Sequence, residues 1–176
     1  MSVLHSSIIP KRIQGQLKKN TTKRQSMPYQ QVKRVGIMFT MTRLDDFEAI
    51  RKFEQKLKKE NKEVEVISFL PKSVENFHFH YDIFQQKDFG ATGKPKAENI
   101  NTFINQSYDY LICLDSEPNQ YLQYILAASK AKLRLGFASE EWNPVFDLAI
   151  KLPDNQQSVA QLIDQIVHYT SEFNGN

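Results

Sequence analysis

Apolar and polar positions follow two alternating rhythms along this chain. Arg34-Val-Gly-Ile-Met-Phe-Thr40 is almost continuously apolar, as a strand covered on both faces must be. From Leu44 to Asn61 the rhythm changes. Phe47, Ile50, Phe53 and Leu57 recur at steps of three and four, the stripe of a helix lying on a core. Thr42 with Asp45 three residues on has the form of a capping box, with Asp in place of Glu. Glu48–Lys52 and Glu54–Lys58 stand four apart as favourable pairs. Lys56, Lys58, Lys59 and Lys62 gather at the C-terminal end, where the helix dipole favours cations, and read as a solvated face. Glu63-Val-Glu-Val-Ile-Ser-Phe69 returns as a second strand. Residues 34–69 therefore form a βαβ unit, and a right-handed crossover makes its strands parallel neighbours.

The blocks continue. Pro71, Gly90, Gly93 and Pro95 punctuate residues 71–96, with short strands expected near Asn76–His80 and Lys87–Phe89. Ala97–Gln106 predicts a helix with Ile100, Phe103 and Ile104 inward. Tyr108–Asp115 predicts a buried central strand. Asn119–Ala131 predicts a helix apolar on most sides, through Tyr121, Leu122, Ile125, Leu126 and Ala128. Leu133–Phe137 and Phe146–Leu152 alternate as strands nearer a sheet edge do. Ser158–Phe173 closes as a helix, with Val159, Leu162, Ile166 and Phe173 on its stripe. The fold class expected is α/β: one three-layer Rossmann-like domain over residues 32–176 with a mainly parallel sheet. About 140 residues is the commonest size for a single domain.

Charge divides the chain differently. Residues 1–34 hold eight Lys and Arg and no acid, whereas residues 35–176 hold fifteen Lys and Arg against twenty Asp and Glu. The net charge of +3 is thus a basic segment of +8 on a body of −5. Residues 1–31 are expected to be a basic arm, partly helical or disordered. Within it Ile9, Ile13 and Leu17 recur every four residues, Pro10 suits a first helical turn, and Gly15 costs a helix roughly 1 kcal/mol. Lys11, Arg12, Lys18, Lys19, Lys23 and Arg24 are the candidate contacts to an anionic partner. RNA (including ribosomal), a lipid surface and an acidic protein all fit. Apart from Tyr29 the arm has no aromatic on which bases would stack, and no sequence-reading module. The bland alternative is a passive tail, or one folded on its own acidic body.

Other classes are excluded or left bare. Cys113 is the sole cysteine, so neither an internal disulfide nor a cysteine zinc cluster forms, and within Leu111-Ile-Cys-Leu114 it reads as a small core hydrophobe. No apolar run approaches the ~18 residues of a membrane span. His5-Ser6-Ser7 and Pro10 interrupt any signal-peptide core, although an acid-poor, Ser-containing N-terminus also fits a transit peptide. The compartment expected is the cytoplasm.

The stretch Ser107-Tyr-Asp-Tyr-Leu-Ile-Cys-Leu-Asp115, then a helix, then Ala131-Lys-Leu-Arg-Leu-Gly-Phe137, resembles the N-terminal Rossmann-like half of heptosyltransferase-type GT-B glycosyltransferases. That family has a Tyr-Asp-Leu-like strand and an Arg-Ile-Gly-Phe-like strand in this order. The likeness runs through the order of elements over residues 34–137. It implies a catalytic carboxylate at Asp46, after the first strand, where the family has a Gly-Asp pair. Asp45 replaces that Gly and removes its backbone freedom. The family also holds its sugar nucleotide on a second Rossmann half, for which 176 residues leave no room. The chain also resembles a small bacterial domain family with no assigned function and a similar basic N-terminus.

The remaining motifs are weighed on their chemistry. Gly90-Ala-Thr-Gly93-Lys94 lacks the four-residue spacing and the following Ser or Thr of a phosphate loop, and Pro95 has no N–H to offer, so it reads as a turn. In Phe77-His-Phe-His-Tyr-Asp82 an extended chain would set His78, His80 and Asp82 on one face, a partial metal set with nothing to complete it. Asp115 and Glu117 follow a central strand, where open α/β sheets place ligands. With Asp46 they form the candidate ligand site. Glu140, Glu141 and Trp142 follow a later strand, and caps or solvated loops use the same residues. No catalytic, metal or cofactor set is complete. The function expected is a non-catalytic binding or adaptor module whose basic arm contacts an anionic partner. The alternative is a small enzyme or ligand-binding domain with its site near Asp46 and Asp115.

Overall fold

The computed structural model describes residues 2–42, 44–74, 81–153 and 158–173. Along the chain run α1 (Ser2–Lys19), β1 (Arg34–Thr40), α2 (Leu44–Lys59), β2 (Glu63–Phe69) and β3 (Asp82–Phe84). They are followed by α3 (Glu98–Asn105), β4 (Tyr110–Cys113), α4 (Gln120–Ala128), β5 (Leu133–Phe137), β6 (Leu148–Ile150) and α5 (Val159–Ser171). The six strands form one sheet in the order β3-β2-β1-β4-β5-β6. Every pairing is parallel. This is the doubly wound Rossmann-like arrangement.

Period-two alternation along buried strands sorts the core onto two faces. Met38, Ile67, Leu111 and Cys113 pack with α3 and α4 on one side. Ile37, Phe39, Ile112 and Leu135 pack with α2 and α5 on the other. Gly136 in β5 marks a close approach: a Cβ there would stand 2.2 Å from Cζ of Phe146. The Phe146 ring thus lies directly on the strand backbone. Phe146 precedes the ladder rather than joining it, so the strand expected over Phe146–Leu152 shortens to Leu148–Ile150.

Several expectations shift. The helix expected to reach Asn61 ends at Lys59, because Asn61 takes a left-handed φ of 60° and the Lys62 N–H closes back on the Leu57 carbonyl at 3.0 Å. That is the Schellman pattern of a helix end. Lys62 is not part of a solvated face. It is buried, its Nζ donating to the carbonyls of Tyr29 and Val32 at 3.0 Å each, beneath the Tyr29 ring. Tyr29 donates its hydroxyl to Glu60 at 2.7 Å, which fixes residues 28–33 against the α2–β2 turn. Lys87–Phe89 is not a strand. Gln86–Asp88 forms a 3-10 turn, with the Asp88 carboxylate accepting from the Gln85 N–H at 2.8 Å. Phe89 keeps only an isolated bridge to Pro95. The strand expected near Asn76–His80, and with it His78 and His80, lies outside the described residues; Asp82 opens β3.

The largest change concerns the segment expected to be an arm. It is a helix that packs along α4 and begins before Pro10, which sits inside it. Ile9 and Ile13 are buried in the same cluster as Phe89, Tyr124 and Ile125, and Leu17 packs against them. Gln16 donates to the Tyr124 hydroxyl at 3.2 Å. Asn20 donates to the Ala127 and Ser129 carbonyls at 2.8 Å each, groups that the end of α4 leaves unpaired. The apolar stripe is spent inside the domain, so residues 8–24 share the body's core rather than standing apart from it.

Candidate functional site

In this strand order the winding reverses between β1 and β4. Helices following the two strands depart on opposite sides and leave a crevice outside the strand C-termini. The β1–β4 register, with Met38 opposite Cys113, carries Thr40 and Asp115 into its floor. Asp115 accepts the Thr40 N–H through Oδ1 at 2.7 Å and the Thr40 hydroxyl through Oδ2. Asn119 donates Nδ2 to the Thr40 Oγ1 at 2.9 Å. Its Oδ1 meanwhile accepts the Tyr121 N–H at 3.0 Å, capping α4. One polar network therefore ties β1, the end of β4 and the start of α4.

Desolvation raises the Asp115 carboxyl to about 6. Hydrogen bonds from Thr40 oppose that shift, and the charges of Asp46 and Glu117 add to it. The cleft above has a volume of about 960 Å³. Asp45 and Asp46, in the first turn of α2, line it together with Asp115 and Glu117. The structure thus brings all three sequence-derived candidates, Asp46, Asp115 and Glu117, to one cleft. It adds Thr40 and Asn119, which position Asp115. Phe69 and Tyr121 supply an aromatic wall, their rings stacked 5.1 Å apart at 14°. Among the described residues no Lys or Arg lines the cleft. The β1–α2 turn, Met41-Thr42-Arg43, has no glycine, and β2 runs into Phe69-Leu70 with no acid at its end. Dinucleotide sites of this topology use both features.

The other candidates separate from the cleft. Cys113 is fully buried and burial pushes its thiol well up, so it is the core hydrophobe expected. Glu140 and Glu141 are exposed and Trp142 is buried against Phe146; none lines the cleft. The Gly93 N–H closes a turn on the Gly90 carbonyl at 2.8 Å. Gly93 has φ +73°, and a Cβ on it would stand 2.9 Å from Ile8. Among the described residues no three His, Cys, Asp or Glu side chains gather as metal ligands. None of the described helices is long and apolar enough to cross a membrane.

The six candidate cations divide. Lys11, Lys18, Lys19 and Lys23 are exposed. Arg12 is exposed with its Nε donating to the Thr92 carbonyl at 2.9 Å. Arg24 is consumed within the fold. It donates to the Ala131 carbonyl and stands 3.9 Å from Asp147, which is held bidentately by Arg134. Desolvation, then repulsion from Arg134, lowers its pKa.

Residues 6–173 match the model of a family of unknown function (DUF6913). The chain belongs to that family. No curated protein matches it.

Proposed function

We propose that this member of the family is a ligand-binding α/β domain whose site is the cleft between the ends of β1 and β4. One observation carries the reading. The polar network of Thr40, Asp115 and Asn119 fixes a desolvated carboxylate in the floor of a cleft of about 960 Å³, at the point where open parallel sheets bind ligands.

The lining supports a class of ligand. A phosphate would meet Asp45, Asp46, Asp115 and Glu117 with no glycine turn to receive it. A hydroxyl-rich or amine-bearing small molecule meets hydrogen-bond acceptors instead, and its apolar or cationic face meets the Phe69–Tyr121 wall. The glycosyltransferase resemblance assigns Asp46 a catalytic role. The present reading asks only that Asp46 bind.

A thermal-shift screen of sugars, polyols and amines tests it. The expected result is a compound that raises the midpoint by several degrees in the wild-type protein and not in Asp115→Asn or Asp46→Ala. Compounds that shift all three proteins alike would remove the cleft from the argument.

A further inference from the structure

We infer that the outward face of α1 is a docking surface for the sugar-phosphate backbone of a nucleic-acid duplex. Two positional facts set the surface. Ile9, Ile13, Gln16 and Asn20 are committed to α4 and its C-terminal turn. At about 100° per residue, Lys11 and Lys18 therefore fall opposite the packed side, with Lys19 on its flank. None of Lys11, Lys18, Lys19 and Lys23 has an ion-pair partner among the described residues.

The segments beside α1 extend the same charge. Arg12 binds the turn at Thr92, and that turn presents Lys94 and Lys96, both exposed. Asn20 binds Ser129, and exposed Lys130 follows. Residues 8–24, 89–97 and 129–132 contain no Asp or Glu. The acids concentrate elsewhere, four of them in the cleft.

The packing narrows the partner. A lipid surface takes up an amphipathic helix through an apolar face as well as a charged one. Here that face is inside the domain. Among the described residues the one exposed large hydrophobic is Tyr169, on α5 across the sheet. A single strand would call for exposed aromatics to stack its bases, and this face has none among the described residues. The face is a row of long cations without apolar or aromatic interruption, which fits evenly spaced phosphates and reads no sequence.

The test uses the full chain and fluorescein-labelled 24-base-pair RNA and DNA duplexes, followed by anisotropy from about 50 to 200 mM salt. Two fourfold variants are compared. One carries Lys11→Gln, Lys18→Gln, Lys19→Gln and Lys23→Gln; the control carries Lys52→Gln, Lys56→Gln, Lys59→Gln and Lys72→Gln, exposed sites away from α1. Wild type should bind at least one duplex, with log K falling against log salt at a slope of about −4 or steeper, since the four lysines alone neutralise four phosphates. The α1 variant should lose at least about tenfold and flatten that slope, whereas the control should stay within about threefold. Equal losses in both variants would reduce the effect to net charge and overturn the docking surface. No duplex binding, equally tight binding of poly-glutamate, or binding only to vesicles of 70% phosphatidylcholine and 30% phosphatidylserine would overturn it as well.

Discussion

Asp115→Asn isolates the cost of keeping a carboxylate in the cleft floor. Asn has the same shape, can still accept the Thr40 N–H, and does not titrate. In the folded chain the Asp115 carboxyl is raised from 3.8 to about 6, chiefly by desolvation. A group whose folded pKa is raised supports the fold most below its unfolded pKa, and that support is lost as pH rises through the folded pKa. The window is therefore about pH 4 to 6. A little over two decades, at about 1.4 kcal/mol each, gives an upper bound near 3 kcal/mol. Because Asp115 is half-buried, partial solvent screening lowers the expected value to about 2 kcal/mol. Urea unfolding of both proteins at intervals from pH 4 to 7.5 reads the difference directly. Any change in hydrogen bonding adds a constant offset. Carboxylates that do not act on Asp115 cancel between the two chains, Asp109 among them. Burial opposes ionisation of Asp109, but Lys132 and the Lys33 and Arg34 N–H groups outweigh it and hold its pKa low. The stability of Asp115→Asn relative to wild type should climb by about 2 kcal/mol between pH 4 and 6 and then level off. A difference that stays flat, or falls, would refute a desolvated Asp115 and with it the physical basis of the cleft reading.

Other predictions concern packing. Gly136→Ala places a Cβ 2.2 Å from the Phe146 ring and should cost at least about 2 kcal/mol in chemical denaturation; Phe146→Leu in the same chain should recover part of that loss. Ile9→Ala, at a fully buried position of α1, should cost about 2–4 kcal/mol, a loss no solvated arm would register. Gly15→Ala, where a Cβ meets nothing within 4 Å, should stabilise by about 0.5–1 kcal/mol in the same assay.

Residues 34–69 were legible because period and burial agree there. Arg34–Thr40 and Glu63–Phe69 stand as strands with the expected ends. Leu133–Phe137 does too, although the partner of Arg134, Asp147, lies outside that strand. β3 was not read from the sequence, because the alternation of Phe77, Phe79, Tyr81 and Ile83 drew the expected strand upstream to Asn76–His80. The role of α1 was hidden for a different reason: its stripe of Ile9, Ile13 and Leu17 is narrow, and charge dominates the segment. The usable signal lay in α4. A helix with Tyr121, Leu122, Tyr124, Ile125, Leu126 and Ala127 all buried cannot be covered by a sheet alone, so a second apolar stripe had to lie on its far side. The cleft was half legible. Asp115 and Asp46 sit where strand ends place ligands, but the link from Thr40 to Asp115 spans 75 residues and depends on β1 and β4 being neighbours, which no local pattern specifies.

The docking of α1 on α4 also sets a schedule for folding. Asn20 reaches carbonyls 107 and 109 residues further along. At a synthesis rate of about 5–20 residues per second, the first helix waits roughly 5–20 s for the surface that covers it. Such distant pairing slows folding, and during the wait Ile9 and Ile13 have no cover. Lys19 on the flank of that stripe, and Lys11 and Lys18 on the opposite face, repel other copies of the uncovered helix as like charges and oppose its self-association. Those lysines would then serve the nascent chain before the finished domain has any surface to offer.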